Sequence, residues 1–271
     1  MKTVLVTGST DGIGFETTRQ LLSHGMHVLV HGRDENKATH SAADLANRTP
    51  GARTTPVWGD FSRMDEVAAL AAQVNAITPE LDVLVNNAGI YVSQRTITDD
   101  GFELTMAVNH FAPYLLTRLV GPLVSNAPAG RIVNVSSMAH QSGEIALDDL
   151  TFEHGFDGYS AYATSKLANI LFTRTLASRL ADSGVTANCL HPGVIDTKLL
   201  HAGFDIKGAP VQRGAETSVY LATSENVTGV SGKYFVNCRE TAPSRAARNE
   251  RLAESLWTVS EHLLSRFLHA S

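Results

Sequence analysis

Short apolar runs rich in β-branched residues alternate along most of the chain with longer segments whose apolar positions recur every three or four residues. The first pattern suits buried strands and the second amphipathic helices, so the alternation predicts βα units building a parallel sheet. Seven strands are expected, at Val4–Val6, Val28–His31, Thr54–Trp58, Val83–Asn86, Arg131–Val135, Thr186–Leu190 and Lys233–Val236. Helices are expected near 13–23, 36–47, 64–76, 102–124, 160–182 and 214–223. The apolar character of DVLVNN and RIVNVSS suits strands covered on both faces. The reading is an α/β, Rossmann-type doubly wound parallel sheet.

No linker-like composition, charge block or repeat divides the chain, so residues 1–271 are read as one domain. Near the C-terminus, Leu252, Leu256, Val259, Leu263 and Phe267 fall at helical spacing. They predict a terminal helix packed on the domain's own surface, with a homodimer contact as the alternative.

Composition narrows the partners. A formal charge of −5 lacks the broad basic surface that phosphate-backbone recognition requires, which argues against nucleic acid. Two cysteines, Cys189 and Cys238, are expected as reduced thiols in strands, in a reducing compartment. The best apolar run, Phe111 to Val124, carries Arg118 and two prolines, so no integral membrane anchor is expected. The first strand begins too early for a signal peptide to precede it, and the expected location is cytoplasmic. His24, His27 and His31 have no Cys, Asp or Glu at ligand spacing and are not read as metal ligands.

Directly after the first strand stands TGSTDGIG, residues 7–14. A glycine-rich turn that opens a helix at the carboxyl end of a parallel strand offers unpaired N–H groups to a pyrophosphate. Gly8 permits the turn, Gly12 the approach of phosphate and Gly14 the packing of helix on strand. The Lys-Ser/Thr of a P-loop is missing, so the cradle points to a dinucleotide.

The spacing TGxxxGxG resembles that of the short-chain dehydrogenase/reductase family, and further matches follow in that family's order. They are NNAG at Asn86–Gly89, Asn109 in VNH, Ser136-Ser137, the YxxxK pair Tyr162 and Lys166, and PGVIDT at Pro192–Thr197. SKLAN, HPG, GKYF and LWTVSE are similar to the branch of retinol dehydrogenases and the WW-domain-containing oxidoreductase. The resemblance implies a catalytic set of Asn109, Ser137, Tyr162 and Lys166, with Ser136 as the fallback for Ser137. It also implies a cofactor site from Gly8, Ser9, Thr10, Asp11, Gly12, Ile13 and Gly14. Asn87, Ala88 and Gly89 would lie beside the ribose, and Asp60 with Phe61 beside the adenine. Pro192, Gly193, Val194 and Thr197 complete the site. Asp60 has a rival role as a helix N-cap.

Residues i and i+4 share a helix face, so the Lys166 ammonium can lie near the Tyr162 phenol. A phenol of pKa about 10 needs 2 to 3 units of depression to serve as acid or base near pH 7, and a partly desolvated lysine helped by an oxidised nicotinamide is of the right size. The resemblance adds a relay through Lys166 and a water held by Asn109. At the end of the second strand, Gly32 stands where NAD-selective relatives carry an acid, and Arg33 follows. NADP(H) is therefore the expected cofactor, with NAD(H) the alternative. The segment from Val194 to Arg213 is expected to act as an apolar lid, through Leu199, Leu200, Phe204 and Ile206, with Gly203 and Gly208 as hinges. A hydrophobic aldehyde or ketone, or the matching alcohol, is the expected substrate. The insertion at 144–158 either shapes the substrate entrance or obstructs a helix-pair dimer interface. The competing readings are a non-catalytic redox sensor and a nucleotide-sugar epimerase or dehydratase.

Overall fold

Four consecutive buried residues form β1 (Thr3–Val6) in the computed structural model, which describes residues 1–268. The chain continues through α1 (Gly12–Ser23), β2 (His27–Gly32), α2 (Glu35–Arg48), β3 (Arg53–Trp58), α3 (Met64–Ile77) and β4 (Val83–Asn86). Next come α4 (Leu104–Met106), a π-helical turn at Ala107–Phe111 and α5 (Ala112–Asn126), which leads to β5 (Arg131–Val135). The second half holds α6 (Gly158–Arg179), β6 (Thr186–His191), α7 (Lys198–Gly203), α8 (Val211–Thr223), β7 (Tyr234–Val236) and β8 (Arg239–Glu240). It ends with α9 (Glu250–Leu263) and α10 (Ser265–Leu268).

The sheet order is β3-β2-β1-β4-β5-β6-β7-β8, and all neighbours through β7 are parallel. Alternate side chains enter opposite layers, as strand geometry demands. Val4, Val6, Val28 and Val30 face α1, α2 and α8, whereas Leu5 and Leu29 join the core beneath α3, α5 and α6. Pro56 is tolerated because β3 lies at the edge of the sheet. Chain order reverses between β1 and β4, which opens a crevice at the carboxyl edge where a ligand can sit.

The sheet has eight strands where seven were expected. Asn237 and Cys238 both adopt positive φ, 50° and 59°, and close a two-residue hairpin that returns β8 antiparallel to β7. The usual Asn-Gly signal is absent and β8 has only two residues, so no hydrophobic pattern announces it. Cys238 accordingly lies in a turn rather than a strand. Both cysteines are free, and burial pushes the Cys189 thiol up to about 12.

The helix expected over 102–124 runs instead from Leu104 to Asn126 with its π turn inside. The terminal helix packs on α6 and α5 of its own chain, but its buried face is rotated from the expected stripe. Ala253, Leu256, Trp257 and Ser260 are buried, while Leu263 is 38% exposed. Trp257 sets the rotation by packing on Tyr114 and Phe172, at ring-centroid distances of 5.0 and 5.8 Å. The insertion is anchored in the core by Leu150, with Ile145, Leu147 and Phe152 packed around it, and Asp157 caps α6.

His31, His110 and His191 are buried, and desolvation holds each down to about 4. The unfolded chain takes up protons on these rings below about pH 6.5, while the folded chain does so only near 4. The contribution of these rings to stability is therefore level above about pH 6.5 and is lost as the pH falls from there toward 4. At pH 5 each ring contributes roughly 2 kcal/mol of this loss. Urea denaturation should give a clearly lower midpoint at pH 5 than at pH 7, and equal midpoints would contradict this account.

Candidate active site

The glycine loop is shaped by close backbone approach. Gly8 and Gly12 have φ of +66° and +55°, and a Cβ at Gly14 would overlap the Gly8 carbonyl. Thr7 ties this loop to the loop after β4. Its hydroxyl oxygen accepts the Asn87 and Ala88 amides at 3.0 Å, and the Asn87 side-chain amide donates to the Thr7 carbonyl at 2.8 Å. Ser9 makes a tie on the other side, donating its amide to the His31 carbonyl at 2.9 Å and its hydroxyl to the Val6 carbonyl. Asp11 caps α1 through the Gly12 amide and forms a 2.6 Å ion pair with Lys198 at the start of α7, which holds its carboxyl below the usual range.

These loops wall a cleft of about 500 Å³. Gly8, Thr10, Asp11, Gly12, Ile13 and Gly14 line one side, and Asn87, Ala88 and Gly89 another. His31, Arg33, Asp60, Phe61 and Thr197 line it as well. Ser9 is fully buried behind the loop and supports it from below. Asp60 does not cap α3, whose N-cap is Arg63. Its carboxylate instead accepts the Ser62 amide and hydroxyl, and lies 3.9 Å from the Arg33 guanidinium. Gly32 presses on α2 so closely that a Cβ would meet the Ala38 backbone nitrogen at 2.7 Å.

Beside this cleft lies a cavity of about 300 Å³ in which Ser137, Tyr162 and Lys166 come together with Pro192, Gly193 and Val194. Helical spacing on α6 stacks the Lys166 ammonium over the Tyr162 ring, 5.4 Å from its centroid. Both groups are buried, at 3% and 7% exposure. Desolvation lowers Lys166 to about 8 and raises Tyr162 to about 12, with the Ser137 hydroxyl pulling the phenol the other way. The depression expected from the sequence counts on an oxidised nicotinamide beside the lysine; in the protein alone burial is the largest influence on the phenol. At neutral pH Tyr162 holds its proton.

The two serines part company. Ser136 is buried and donates its hydroxyl to the Lys166 carbonyl at 2.7 Å, whereas Ser137 caps a 3₁₀ turn at Met138–Ser142 and faces the cavity. His140 in that turn holds the Ser137 carbonyl at 2.6 Å and accepts the Ser244 amide. Asn109 sits in the π turn, fully buried. Its amide grips both backbone groups of Ile90, at 2.8 and 3.0 Å, and donates to the Ser165 hydroxyl at 3.0 Å. A Cβ on Gly89 would come within 3.2 Å of the Lys166 nitrogen and 3.3 Å of the Asn109 oxygen, so the glycine keeps the passage between them clear.

The substrate side is aromatic and aliphatic. Tyr91 packs edge-on to Tyr162 and against Phe204, and Leu199, Leu200, Ile206 and Tyr159 complete the wall. Tyr159 follows the insertion directly, and no residue of 144–158 is itself among those lining the cavity. Neither of the expected hinge glycines has positive φ. A Cβ at Gly203 would meet the Tyr91 ring at 2.9 Å, and one at Gly208 would overlap Asp196. They permit close packing of α7 and of the Ile195–Ala209 bridge. Thr7, His31, Tyr91 and His140 belong to the site although the motifs did not single them out; Thr7, beside the first glycine of TGxxxGxG, carried the only sequence cue.

A short chain dehydrogenase family model matches residues 2–205. Retinol dehydrogenase 14 of Mus musculus is 38% identical over 283 residues, covering 96% of this chain and 85% of that protein. Retinol dehydrogenase 12 of Bos taurus is 40% identical over 273 residues, covering 97% and 86%. Among solved structures, an uncharacterised protein from Mycobacterium paratuberculosis superposes with a TM-score of 0.82 at 31% identity, covering 98% of this chain and 94% of that one. A structure from Beutenbergia cavernae with bound NADP, described as an NAD(P)-dependent gluconate 5-dehydrogenase, has a TM-score of 0.72 at 28% identity, covering 87% and 94%. Among the described residues no helix is long and apolar enough to cross a membrane. With its glycine cradle, its YxxxK pair on one cavity wall and these relatives, the chain belongs to the short-chain dehydrogenase/reductase family, in the retinol dehydrogenase-like branch, as a nicotinamide-dependent oxidoreductase acting on CH–OH groups.

Proposed function

We propose that this enzyme interconverts a hydrophobic aldehyde or ketone and its alcohol, favours NADP(H), and uses Tyr162 as its proton donor in the reducing direction. One observation carries the reading: Ser137, Tyr162 and Lys166 converge on an apolar-walled cavity adjoining the glycine-lined cleft. The fit of a dinucleotide rests on that cleft, whose glycines leave room that a Cβ would fill. Gly8, Gly12 and Gly14 would hold the pyrophosphate over the amino end of α1, Asn87, Ala88 and Gly89 the ribose, and Asp60 with Phe61 the adenine. Pro192, Gly193, Val194 and Thr197 would meet the nicotinamide. When bound, the cofactor supplies or accepts a hydride at the substrate carbon.

The remaining work falls to the chain's own residues. Ser137 donates a hydrogen bond to the oxygen that becomes an alkoxide, and Tyr162 transfers its proton to the same atom. A firmly held phenolic proton is the form that reduction needs, and the growing negative charge on the substrate oxygen draws it off. The Lys166 ammonium favours the resulting phenolate, while Asn109 braces the wall beside it by holding Ile90. The retinol dehydrogenase relatives support a hydrophobic alcohol as the substrate class. An intact set of Asn109, Ser137, Tyr162 and Lys166 favours turnover over passive redox sensing.

NADP(H) preference is supported from two sides. Arg33 offers a planar guanidinium to a 2′-phosphate. At Gly32, where NAD-selective relatives carry an acid, any side chain would be forced into the backbone of α2.

Tyr162→Phe should lower kcat by about 10²–10⁴-fold while leaving the NADPH dissociation constant within a few-fold. A phenylalanine variant that turns over near the wild-type rate would assign the proton to another group. Arg33→Ala should reduce kcat/KM for NADPH about tenfold, the size of one lost charge-assisted contact, with little change for NADH. Gly32→Asp should lower the melting temperature rather than create an NADH enzyme. Steady-state rates with both dinucleotides and thermal melts check the pair, and unchanged NADPH selectivity in Arg33→Ala would remove the case for the guanidinium.

A further inference from the structure

His31 is 3% exposed, lines the cleft near the end of β2, and has both ring nitrogens engaged. Nδ1 lies 3.0 Å from the Gly8 amide, and Nε2 lies 3.0 Å from the Gly59 carbonyl. An amide can only donate and a carbonyl only accept, so the two partners dictate one tautomer: bare Nδ1 and protonated Nε2. Desolvation keeps the ring neutral, with its pKa held down to about 4. The backbone of the same residue exchanges hydrogen bonds with Ser9, and the ring stacks on Phe61 at a centroid distance of 4.6 Å.

Two loops of the cleft therefore meet on one imidazole carried by β2. The Gly8 amide belongs to a turn at φ +66°, packed so tightly that a Cβ would come within 3.0 Å of the Ala88 backbone, and it needs an acceptor because an unpaired amide at a crowded turn is costly. Gly59 begins the loop that carries Asp60 and Phe61. We propose that His31 is a positioning residue of the dinucleotide site, which sets the distance between the glycine loop and the β3–α3 loop through its two ring nitrogens. The proposal rests on the dinucleotide reading above and deepens it. His31 lines the cleft and not the Tyr162 cavity, so its effect belongs to cofactor affinity and not to the chemical step.

Three substitutions separate the two bonds from simple packing. His31→Asn can place a carboxamide oxygen near the position of Nδ1 and keep the Gly8 bond, His31→Gln can keep a donor near the position of Nε2 for Gly59, and His31→Leu keeps bulk alone. Calorimetry with NADP⁺, thermal melts and kcat at saturating NADPH with a hydrophobic aldehyde form the test. The expected result is a dissociation constant raised tenfold or more in His31→Leu and by less in His31→Asn and His31→Gln, with kcat within twofold throughout. Wild-type affinity in all three variants, or a fall in kcat matching the rise in dissociation constant, would overturn the proposal. If the wild-type chain itself fails to bind NADP⁺, the dinucleotide reading fails first, which is a different outcome. Should the variants not fold, nitrogen-15 NMR of the wild-type ring decides. A proton on Nε2 at pH 7 and an Nδ1 signal that moves on adding NADP⁺ support the role, whereas a ring titrating near 6.5 or indifferent to NADP⁺ refutes it.

Discussion

Everything at the carboxyl edge of the sheet depends on how closely the loop after β1 can lie against the loop after β4. The Asn87 amide reaches the Thr7 carbonyl at 2.8 Å, and α1 starts so near that a Cβ on Gly14 would overlap the Gly8 carbonyl. Such contact requires backbone without side chains in between, and hydrogen bonds that account for each polar group brought out of water. The gap between these loops then continues outward as a cleft with bare backbone at its base. A site for an extended anionic ligand follows from that single constraint.

Burial governs the chemistry next to it. Tyr162 and Lys166 are driven apart in proton affinity by the same desolvation, the phenol upward and the ammonium downward, so that each moves toward its neutral form. A neutral phenol and a weakened cation therefore share one wall of the cavity. The buried amide of Asn109 stabilises this wall by spending its donors and its acceptor on Ile90 and Ser165. The π turn that carries Asn109 gives the helix the local bulge that such a buried side chain needs.

Packing on the other side of the sheet edge is equally tight. Tyr91, Tyr162 and Phe204 meet ring to ring, and Gly203 admits the Tyr91 ring where any side chain would block it. At the far end of α6, the terminal helix covers the α5–α6 face with Leu256 and Trp257. Arg118 and Arg179 both lie over that tryptophan ring, while Glu261 pairs with Arg118 and Tyr114. The helix bearing Tyr162 and Lys166 is therefore clamped at both ends, by Asp157 and the insertion at its start and by the terminal helix near its finish.

Local chemistry alone determined the βα alternation, the strand positions and the glycine cradle, because side-chain period and turn preference are properties of neighbouring residues. The spacing of Tyr162 and Lys166 likewise needed only helical geometry to share a face. Other features were decided by residues far apart in sequence. Leu263 loses its place in the terminal stripe because Trp257 finds Tyr114 and Phe172. Gly203 and Gly208 read as hinges along the chain, yet each faces a segment that only folding brings near. The phenol's proton affinity follows the same rule: a lysine four residues away, helped by an oxidised nicotinamide, suggested a fall, and in the protein alone burial by the whole domain produces a rise. Desolvation and close contact are sums over the tertiary neighbourhood, and no local pattern contains them.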